Sequence, residues 1–486
     1  QALLNPTLYP HPVSGFQLIE THLSWVILTG QYAYKIKKPL NLGFQDFTTL
    51  EKRKKYCELE VRLNQRFAPQ IYVDVVPITG NPQNPSFDRN QTIIEYAVKM
   101  KEFPQSNLLS ILATQRKITK EIIKALAMEI AHFHRSTETA DPASSFGTPQ
   151  SVYAPMQANF TALKSLPDIN HHIELIQHIE QWTRSEFEKL TPLLQSRKKN
   201  GFIRACHGDL HLGNIVMIDN QPIPFDCIEF NEEFRWTDVY NDVGFLAMDL
   251  HHQRYSELSH LFINQYLEAS QDYEGIALLP FYECYRAMVR AKVMGLQINQ
   301  LPRDPALRSK YQEELRDFLT LTQQFIQPKA PQLTITFGLS GSGKTVYTEQ
   351  LLMQSGALRL RSDVIRKKLF GHEPKAALYS IETTQQLFSH LVNTATILLN
   401  AQRAVIIDAT FIKRWQRQHF LELAKAFSIP LKILAFDVPL NELQQRIRQR
   451  LQQGKDASDA DLAVLTSQLQ EIEPLTAEEQ ALANVI

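Results

Sequence analysis

Apolar residues in the first hundred positions alternate with polar ones in short runs. "SWVILTG" and "QYAYKIKK" read as two β-runs joined by a tight turn at Thr29-Gly30. "EKRKKYCELEVRLNQRF" then changes to helical spacing through Leu59, Leu63 and Phe67. "IYVDVVPIT" and "TIIEYAVKM" give two further strands around a polar, proline-bearing loop. Strand, strand, helix, strand, strand predicts a small β-rich lobe over residues 1–100.

From Glu121 the spacing is helical. "EIIKALAMEIAHFHRST" is amphipathic, and "HHIELIQHIEQWTRSEFEKLTPLLQSRKK", "LSHLFINQYLEAS", "FYECYRAMVRAKVMGLQI" and "KYQEELRDFLTLTQQFI" continue the pattern. They predict a helical lobe over residues 101–326. "QPKAPQ", Gln327 to Gln332, reads as a short proline-bearing linker. Beyond it the strands "LTITF", "ALRLR", "RAVIID" and "LKILAFD" alternate with helices, which predicts a doubly wound parallel sheet over residues 333–486.

Composition adds limits. Of 486 residues 44% are hydrophobic and 21% charged, as in ordinary globular proteins, and the length suggests about three compact units. No run approaches the apolar length of a membrane span, and the opening "QALLNPTLYPHPV" lacks signal-peptide character. Four scattered cysteines, Cys57, Cys206, Cys227 and Cys284, point to reduced, buried thiols and a cytoplasmic protein. Zero net charge argues against a general nucleic-acid binder. The average conceals 17 basic against 8 acidic residues from Pro331 to Lys455, then seven acidic and no basic residues to the end. A basic body with an acidic tail suits anionic ligands.

The first chemistry-bearing motif is "GLSGSGKT", which fits the phosphate-binding loop in full: Gly338, Ser340, Gly341, Ser342, Gly343, Lys344 and Thr345. Glycines let successive backbone N–H groups converge on one anion, and the helix that follows offers its N-terminal dipole. Lys344 then reaches the β- and γ-phosphates and the Thr345 hydroxyl ligates Mg2+. "RAVIIDATF" supplies Asp408 as the second Mg2+ contact. In "RSDVIRKKL", Ser362 would cap a helix, and Asp363 and Arg366 share its first turn. There Asp363 would take the proton of an acceptor hydroxyl and Arg366 would hold an acceptor anion; the alternative is a dipole-stabilising aspartate and a surface arginine. "NELQQRIRQRLQQGKDASDADL" sets Arg446 and Arg450 one turn apart, suited to close over a transferring phosphoryl.

These pieces resemble the P-loop kinase branch that includes zeta-toxin, gluconate-kinase and polynucleotide-kinase-type proteins. The resemblance implies Asp363 as base, Arg366 as acceptor contact, and Arg446 with Arg450 as a nucleotide lid.

The second motif is "CHGDLHLGNIV". His207 and His211 make a poor zinc pair, because Gly208 and Gly213 break the helix they would need. Cys206 has no activating base beside it. Phosphoryl transfer fits better: Asp209 and Asn214 stand five apart, as in the kinase catalytic loop. Downstream, "PIPFDCIEF" offers Asp226 to the same metal. Upstream, Lys35 on "YAYKI" can neutralise phosphates and Glu60 can hold it; Lys37 rivals Lys35 on the same strand face, and Glu58 rivals Glu60 more weakly.

"HGDLHLGNI", "PIPFDCIEF", "AYKIK" and "IAHFHRST" are similar to the aminoglycoside phosphotransferase and choline-kinase superfamily. The resemblance implies a two-lobed, protein-kinase-like fold with Asp209 as base and Asn214 and Asp226 on Mg2+. No G-x-G-x-x-G is present, so "IETHLSW" would serve as the nucleotide loop. His207, Asp238 and Asp242 are expected to order the loop, and the helices from Ala154 to Lys199 to wall the acceptor. Arg286, Arg290 and Lys292 read first as packing residues, with an acceptor-phosphate pocket as the alternative.

Together the motifs lead us to expect a mixed α/β and α+β multidomain chain that uses ATP, or GTP, with Mg2+. The leading expectation is a bifunctional kinase with small-molecule hydroxyl acceptors and no membrane partner. A nucleotide or polynucleotide-end acceptor for the P-loop module, or a regulatory role for one module, stays open, as does the oligomeric state.

Overall fold

The computed structural model describes residues 1–41, 45–88, 90–300, 305–372, 374–453 and 461–486. The chain forms two compact units, Gln1–Gln253 with Leu279–Gln323, and Arg254–Leu278 with Gln324–Ile486.

The first unit opens with a six-stranded antiparallel sheet. Its strands are β1 (Gln17–Glu20), β2 (Ser24–Leu28), β3 (Tyr32–Lys37), β4 (Tyr72–Gly80), β5 (Pro85–Ser86) and β6 (Ile93–Lys101), in the order β1-β2-β3-β6-β4-β5. Helix α1 (Leu50–Asn64) separates β3 from β4 and is capped by Thr49, whose hydroxyl accepts the Lys52 N–H. Alternation places Lys35 and Lys37 on the sheet face that α1 covers, over a core that includes Leu28, Ala33, Cys57 and Leu63. The four strands and one helix read from the pattern are all present, with β1 and the two-residue β5 added.

The helical part of this unit contains α2 (Leu109–Thr114), α3 (Lys120–Ser136), α4 (Pro149–Lys164) and α5 (Ile173–Lys199). The short strands β7 (Ile203–Ala205), β8 (Ile215–Ile218) and β9 (Gln221–Pro224) follow, then α6 (Glu232–Arg235), β10 (Trp236–Asp238) and α7 (Val239–His252). β7 pairs with β10 and β8 with β9, so the chain between β7 and β8 is held at both ends. Helix α7 is buried along almost its whole length and forms the floor of that loop.

Helix α8 (Ser256–Ser270) folds with the second unit, whereas α9 (Leu279–Gln300) and most of α10 (Pro305–Phe325) return to the first. The second unit is a five-stranded parallel sheet of β11 (Leu333–Phe337), β12 (Leu358–Arg361), β13 (Val405–Asp408), β14 (Leu431–Ala435) and β15 (Ala483–Val485), ordered β12-β13-β11-β14-β15. Its helices are α11 (Lys344–Ser355), α12 (Ser362–Phe370), α13 (Lys375–Leu378), α14 (Ile381–Asn400), α15 (Arg414–Phe427), α16 (Leu440–Gln453), α17 (Leu462–Glu471) and α18 (Ala477–Ala481).

Two features of this unit depart from the sequence reading. Residues Arg254–Leu278 do not stay with the helical lobe. β12 is an edge strand, and α8 covers it: the Arg359 N–H donates to Asn264 Oδ1 (2.8 Å), Asn264 Nδ2 donates to the Ala357 carbonyl (3.1 Å), and Arg361 pairs with Glu268 (3.2 Å). From Asp461 onward the acidic C-terminal stretch is likewise no mere tail. It supplies β15 to the other sheet edge, and Glu479 pairs with the fully buried Arg417 (2.7 Å), Glu471 with Lys413 (3.5 Å) and Glu478 with Lys425 (3.2 Å).

All four cysteines are buried and free. Among the described residues no helix is long and apolar enough to cross a membrane.

Candidate active sites

In the first unit β7 delivers the chain into the loop Cys206–Asn214. Gly208 turns it at φ 84°, where a Cβ would come within 3.0 Å of the Phe234 carbonyl oxygen. Asp242 on α7 fixes the turn, accepting the His207 N–H (2.7 Å) and the Gly208 N–H (2.9 Å). Arg286 on α9 holds it from the other side, donating to the Gly208 carbonyl (2.8 Å) and to Asn241 Oδ1 (2.8 Å). Asp238 sits one step away, capping α7 and pairing with the buried Arg197 (2.7 Å). His207 is fully buried; its Nδ1 accepts the Asp209 N–H (3.3 Å) and its Nε2–H donates to the Phe225 carbonyl (2.9 Å), which describes a neutral imidazole. Burial lowers its pKa further.

This scaffold brings Asp209 and Asn214 together. Asn214 Nδ2 donates to Asp209 Oδ2 and to the Asp209 carbonyl, both at 3.0 Å, so its Oδ1 faces away from the aspartate. Burial raises the Asp209 pKa, but His211 (3.4 Å), with Arg286 and His207 beyond it, holds the carboxyl below the ordinary range. Asp209 is therefore a carboxylate throughout the neutral range.

The sheet contributes a charge network. Lys35 bridges Glu60 Oε1 (2.8 Å) and Asp226 Oδ1 (2.5 Å), while Lys37 bridges Glu60 Oε2 (2.5 Å) and Glu229 Oε1 (2.5 Å). Burial lowers the pKa of both lysines and the carboxylates raise it; the carboxylates prevail. Glu60 is fully buried and serves both lysines, whereas Glu58 lies on the exposed face of α1 beside Lys54 (3.8 Å). Asp226 adopts φ 61°, a left-handed conformation that aspartate tolerates better than most residues. Its N–H donates to the Tyr72 hydroxyl (3.1 Å) and the next N–H, of Cys227, to Asn64 Oδ1 (2.9 Å), which together hold the turn.

Lys35, Asp209, Asn214, Asp226 and Glu229 line one cavity of about 780 Å³. The turn Thr21–Ser24, the proposed nucleotide loop, lines it too, and so do Ser151, Pro155 and Asn159 of α4; α5 does not reach it. Arg290 packs over the Phe318 ring (5.8 Å), as a packing residue should. Lys292 instead lines the cavity and donates to Asn159 Oδ1 (2.6 Å).

The second unit builds its site from one continuous segment. β11 ends at Phe337, the loop 338–343 follows, and α11 begins at Lys344 with Gly343 as N-cap at φ 92°. Gly338 and Gly341 also take positive φ, and a Cβ on Gly338 would meet Phe436 at 3.0 Å. The Lys344 ammonium donates to the Gly338 (2.9 Å) and Leu339 (2.6 Å) carbonyls and to Ser342 Oγ (3.3 Å). Thr345 is exposed on the first helical turn, and buried Asp408, at the end of β13, accepts from the Thr348 hydroxyl (3.2 Å). The Ser340 N–H donates to Gln468 Oε1 on α17 (2.9 Å), a hydrogen bond of the kind a phosphate oxygen would take.

Asp363 and Arg366 lie on α12, where Arg366 donates to the Leu378 carbonyl (2.6 Å) and stacks over Tyr379 (5.0 Å). Ser362 does not cap that helix: the N-cap is Arg361, without a side-chain hydrogen bond, because the helix starts directly from the strand end. Arg446 reaches the Gly341 carbonyl (3.5 Å) and pairs with Glu442 on its own helix. The Arg450 side chain and residues 454–460, the polar stretch expected after it, lie outside the described residues.

Residues 52–279 match the model of the phosphotransferase enzyme family and residues 333–475 that of an AAA domain. The chain joins two kinase-like domains. Uncharacterized proteins of Mycobacterium tuberculosis and Mycobacterium bovis are 28% identical over 412 residues, 82% of this chain and 80% of theirs. Among solved structures, a choline/ethanolamine kinase family protein from Mesorhizobium loti is similar at 11% identity and TM-score 0.41, covering 67% of this chain and 95% of that one. A gluconokinase from Sinorhizobium meliloti is similar at 18% identity and TM-score 0.25, covering 32% and 83%.

Domains of this kind use ATP and Mg2+, and the side chains fit both. Asn214, Asp226, Thr345 and Asp408 offer the hard oxygen ligands that Mg2+ prefers. In the P-loop domain, the glycine turn forms a cradle that side chains would fill. Sequence reasoning missed Glu229, Tyr72, Asn64 and Gln468. Only Glu229 left a signal, as an acidic residue three places after Asp226.

Proposed function

We propose that the chain is a bifunctional ATP-dependent phosphotransferase, each domain moving the γ-phosphoryl of ATP to a hydroxyl on a small molecule. One observation supports this reading: each domain carries candidate groups of its own on neighbouring elements. The N-terminal set is Asp209, Lys35, Asn214 and Asp226; the P-loop set is Asp363, Lys344, Thr345 and Asp408.

In the N-terminal domain the Asp209 carboxylate, kept ionised by His211, accepts the proton of the acceptor hydroxyl as that oxygen attacks. Asn214 Nδ2 fixes which carboxylate oxygen is turned to the acceptor. Lys35 exchanges Asp226 for the phosphate tail while Glu60 keeps it in place, and Asp226, once freed, would be able to hold Mg2+ together with Asn214. Held there, the ion would supply positive charge to the phosphate groups. In the P-loop domain Lys344 moves from the loop carbonyls to the phosphates, Arg446 adds positive charge above Gly341, and Asp363 takes the acceptor proton with Arg366 as acceptor contact.

The test is a metabolite-extract screen with γ-labelled ATP on wild type, Asp209→Asn and Asp363→Asn. Each variant should lose a different labelled product. If either leaves every product in place, that domain's assignment fails.

A second reading makes the P-loop domain a nucleotide sensor without its own acceptor. It is favoured by Gln468, whose side chain already holds the Ser340 N–H. Under it Lys344→Ala changes the turnover of the N-terminal domain without removing a product. A polynucleotide acceptor is less favoured, because Arg417, Lys413 and Lys425 of the basic body are paired with the acidic C-terminal stretch. Strong salt dependence of binding would point back to it.

A further inference from the structure

The cavity of the N-terminal domain has a wall that the phosphate chemistry does not use. α4 brings Asn159 to it and α9 brings Tyr282 and Lys292. Lys292 Nζ donates to Asn159 Oδ1 (2.6 Å), which fixes the orientation of the amide and turns its Nδ2 away from the lysine. Asn159 is only 3% exposed, and its Nδ2 has no hydrogen-bond partner; the buried Tyr282 hydroxyl has none either. Among the described residues no carboxylate pairs with Lys292.

The carboxylates that line the same cavity are otherwise placed. Glu229 is tied to Lys37, Asp226 to Lys35, Asp209 to Asn214 and His211, Glu102 accepts the Thr29 and Gly30 N–H groups, and Glu233 is exposed. This wall therefore combines an ammonium at the cavity with a buried amide N–H beside it that lacks an acceptor, and among the described residues no carboxylate stands against either. A buried donor without an acceptor and a partly buried ammonium without a counter-charge both cost stability, and an anion seated here would relieve both.

We infer that the acceptor of the N-terminal domain carries an anionic group, a carboxylate or a phosphate, seated on Lys292 and Asn159 while its hydroxyl faces Asp209. A cationic acceptor, such as an amino sugar or an amino alcohol, would meet an uncompensated ammonium there. The inference rests on the reading of Asp209 as the base of a phosphotransferase.

The experiment uses the full chain carrying Lys344→Ala, to silence the P-loop site, with γ-labelled ATP and Mg2+. Three acceptor sets are offered: sugar acids and other hydroxy-carboxylates, sugar phosphates, and amino sugars with amino alcohols. Labelled product is expected from one of the first two sets, and which of them responds distinguishes a carboxylate from a phosphate. Asn159→Asp, nearly isosteric, places a carboxylate against Lys292; it should keep its melting temperature while raising KM for the anionic acceptor about ten-fold or more. Lys292→Met should raise the same KM. Asp209-dependent product from the amino set, or an unmoved KM in both variants, overturns the inference and leaves the phosphotransferase reading standing. ATP turnover indifferent to Asp209→Asn with every set, or absent altogether, overturns both.

Discussion

In the N-terminal domain the candidate phosphate-binding lysines rest on carboxylates, whereas in the P-loop domain the candidate lysine rests on main-chain carbonyls. Lys35 and Lys37 share Glu60, and their remaining partners, Asp226 and Glu229, lie 191 and 192 residues further along the chain. Lys344 holds the carbonyls of Gly338 and Leu339, six and five residues away. The first arrangement exists only once two lobes have come together; the second exists once a strand, a turn and a helix have formed. Resting the lysine on carboxylates ties up Asp226 in an ion pair. Resting it on carbonyls leaves Asp408 independent of the lysine.

That contrast can be tested at several strengths. The largest effects belong to the two aspartates: Asp209→Asn and Asp363→Asn should each lower turnover of their own product about 10²–10⁴-fold, read by separate product assays. Next comes Glu60→Gln, which leaves two buried ammoniums short of a partner and should destabilise the N-terminal domain by about 3–5 kcal/mol in denaturant titration. Glu58→Gln, on the exposed face of the same helix, should stay within about 0.5 kcal/mol, and equal losses for the two would dissolve the distinction between them.

Lys344→Ala should cost about 10²–10³-fold in turnover of the P-loop product and leave the melting of the N-terminal domain unchanged. The smallest effect is a pH slope. Buried His207 is held neutral, with its pKa below the ordinary 6.5, so the unfolded chain takes up a proton that the folded chain refuses. Stability therefore falls as pH drops below about 6.5. Asp209, whose pKa is lowered, keeps its contribution until pH falls below the ordinary carboxylate value, so it does not mask the slope between pH 7 and 5. His207→Gln should reduce that slope in melting curves, leaving the part that His172, His252, His260 and His390, also lowered by burial, contribute.

The same contrast explains what could be read in advance. "GLSGSGKT" announces a site because its contacts are local, and the helix and strands around it follow the hydrophobic period. The other site was legible only in pieces. Alternation puts Lys35 and Lys37 on one face and cannot choose between them; the structure engages both, and only Lys35 reaches Asp226. Glu229 stands in "PIPFDCIEF" three places after Asp226, without a partner in the sequence to give it a role. Tyr72 and Asn64 act through a hydroxyl and an amide on distant elements, which leaves no pattern in a single chain.

The period of "LSHLFINQYLEAS" marks a helix but not the body it packs on; Asn264 and Glu268, its polar residues, decide that by meeting the edge of β12. The acidic C-terminal stretch read as a tail because its charges were counted without Arg417 and the other partners they meet. Asn159 and Lys292 lie more than a hundred residues apart, and only packing of α4 against α9 makes them one wall.

The central claim is that one chain holds two independent nucleotide sites. Calorimetric titration of the full chain with a non-hydrolysable ATP analogue and Mg2+ measures it directly. Two bound equivalents are predicted for wild type, one for Lys344→Ala, and none when Lys35→Met is added. A single equivalent in wild type, or two that persist in Lys344→Ala, would contradict the account.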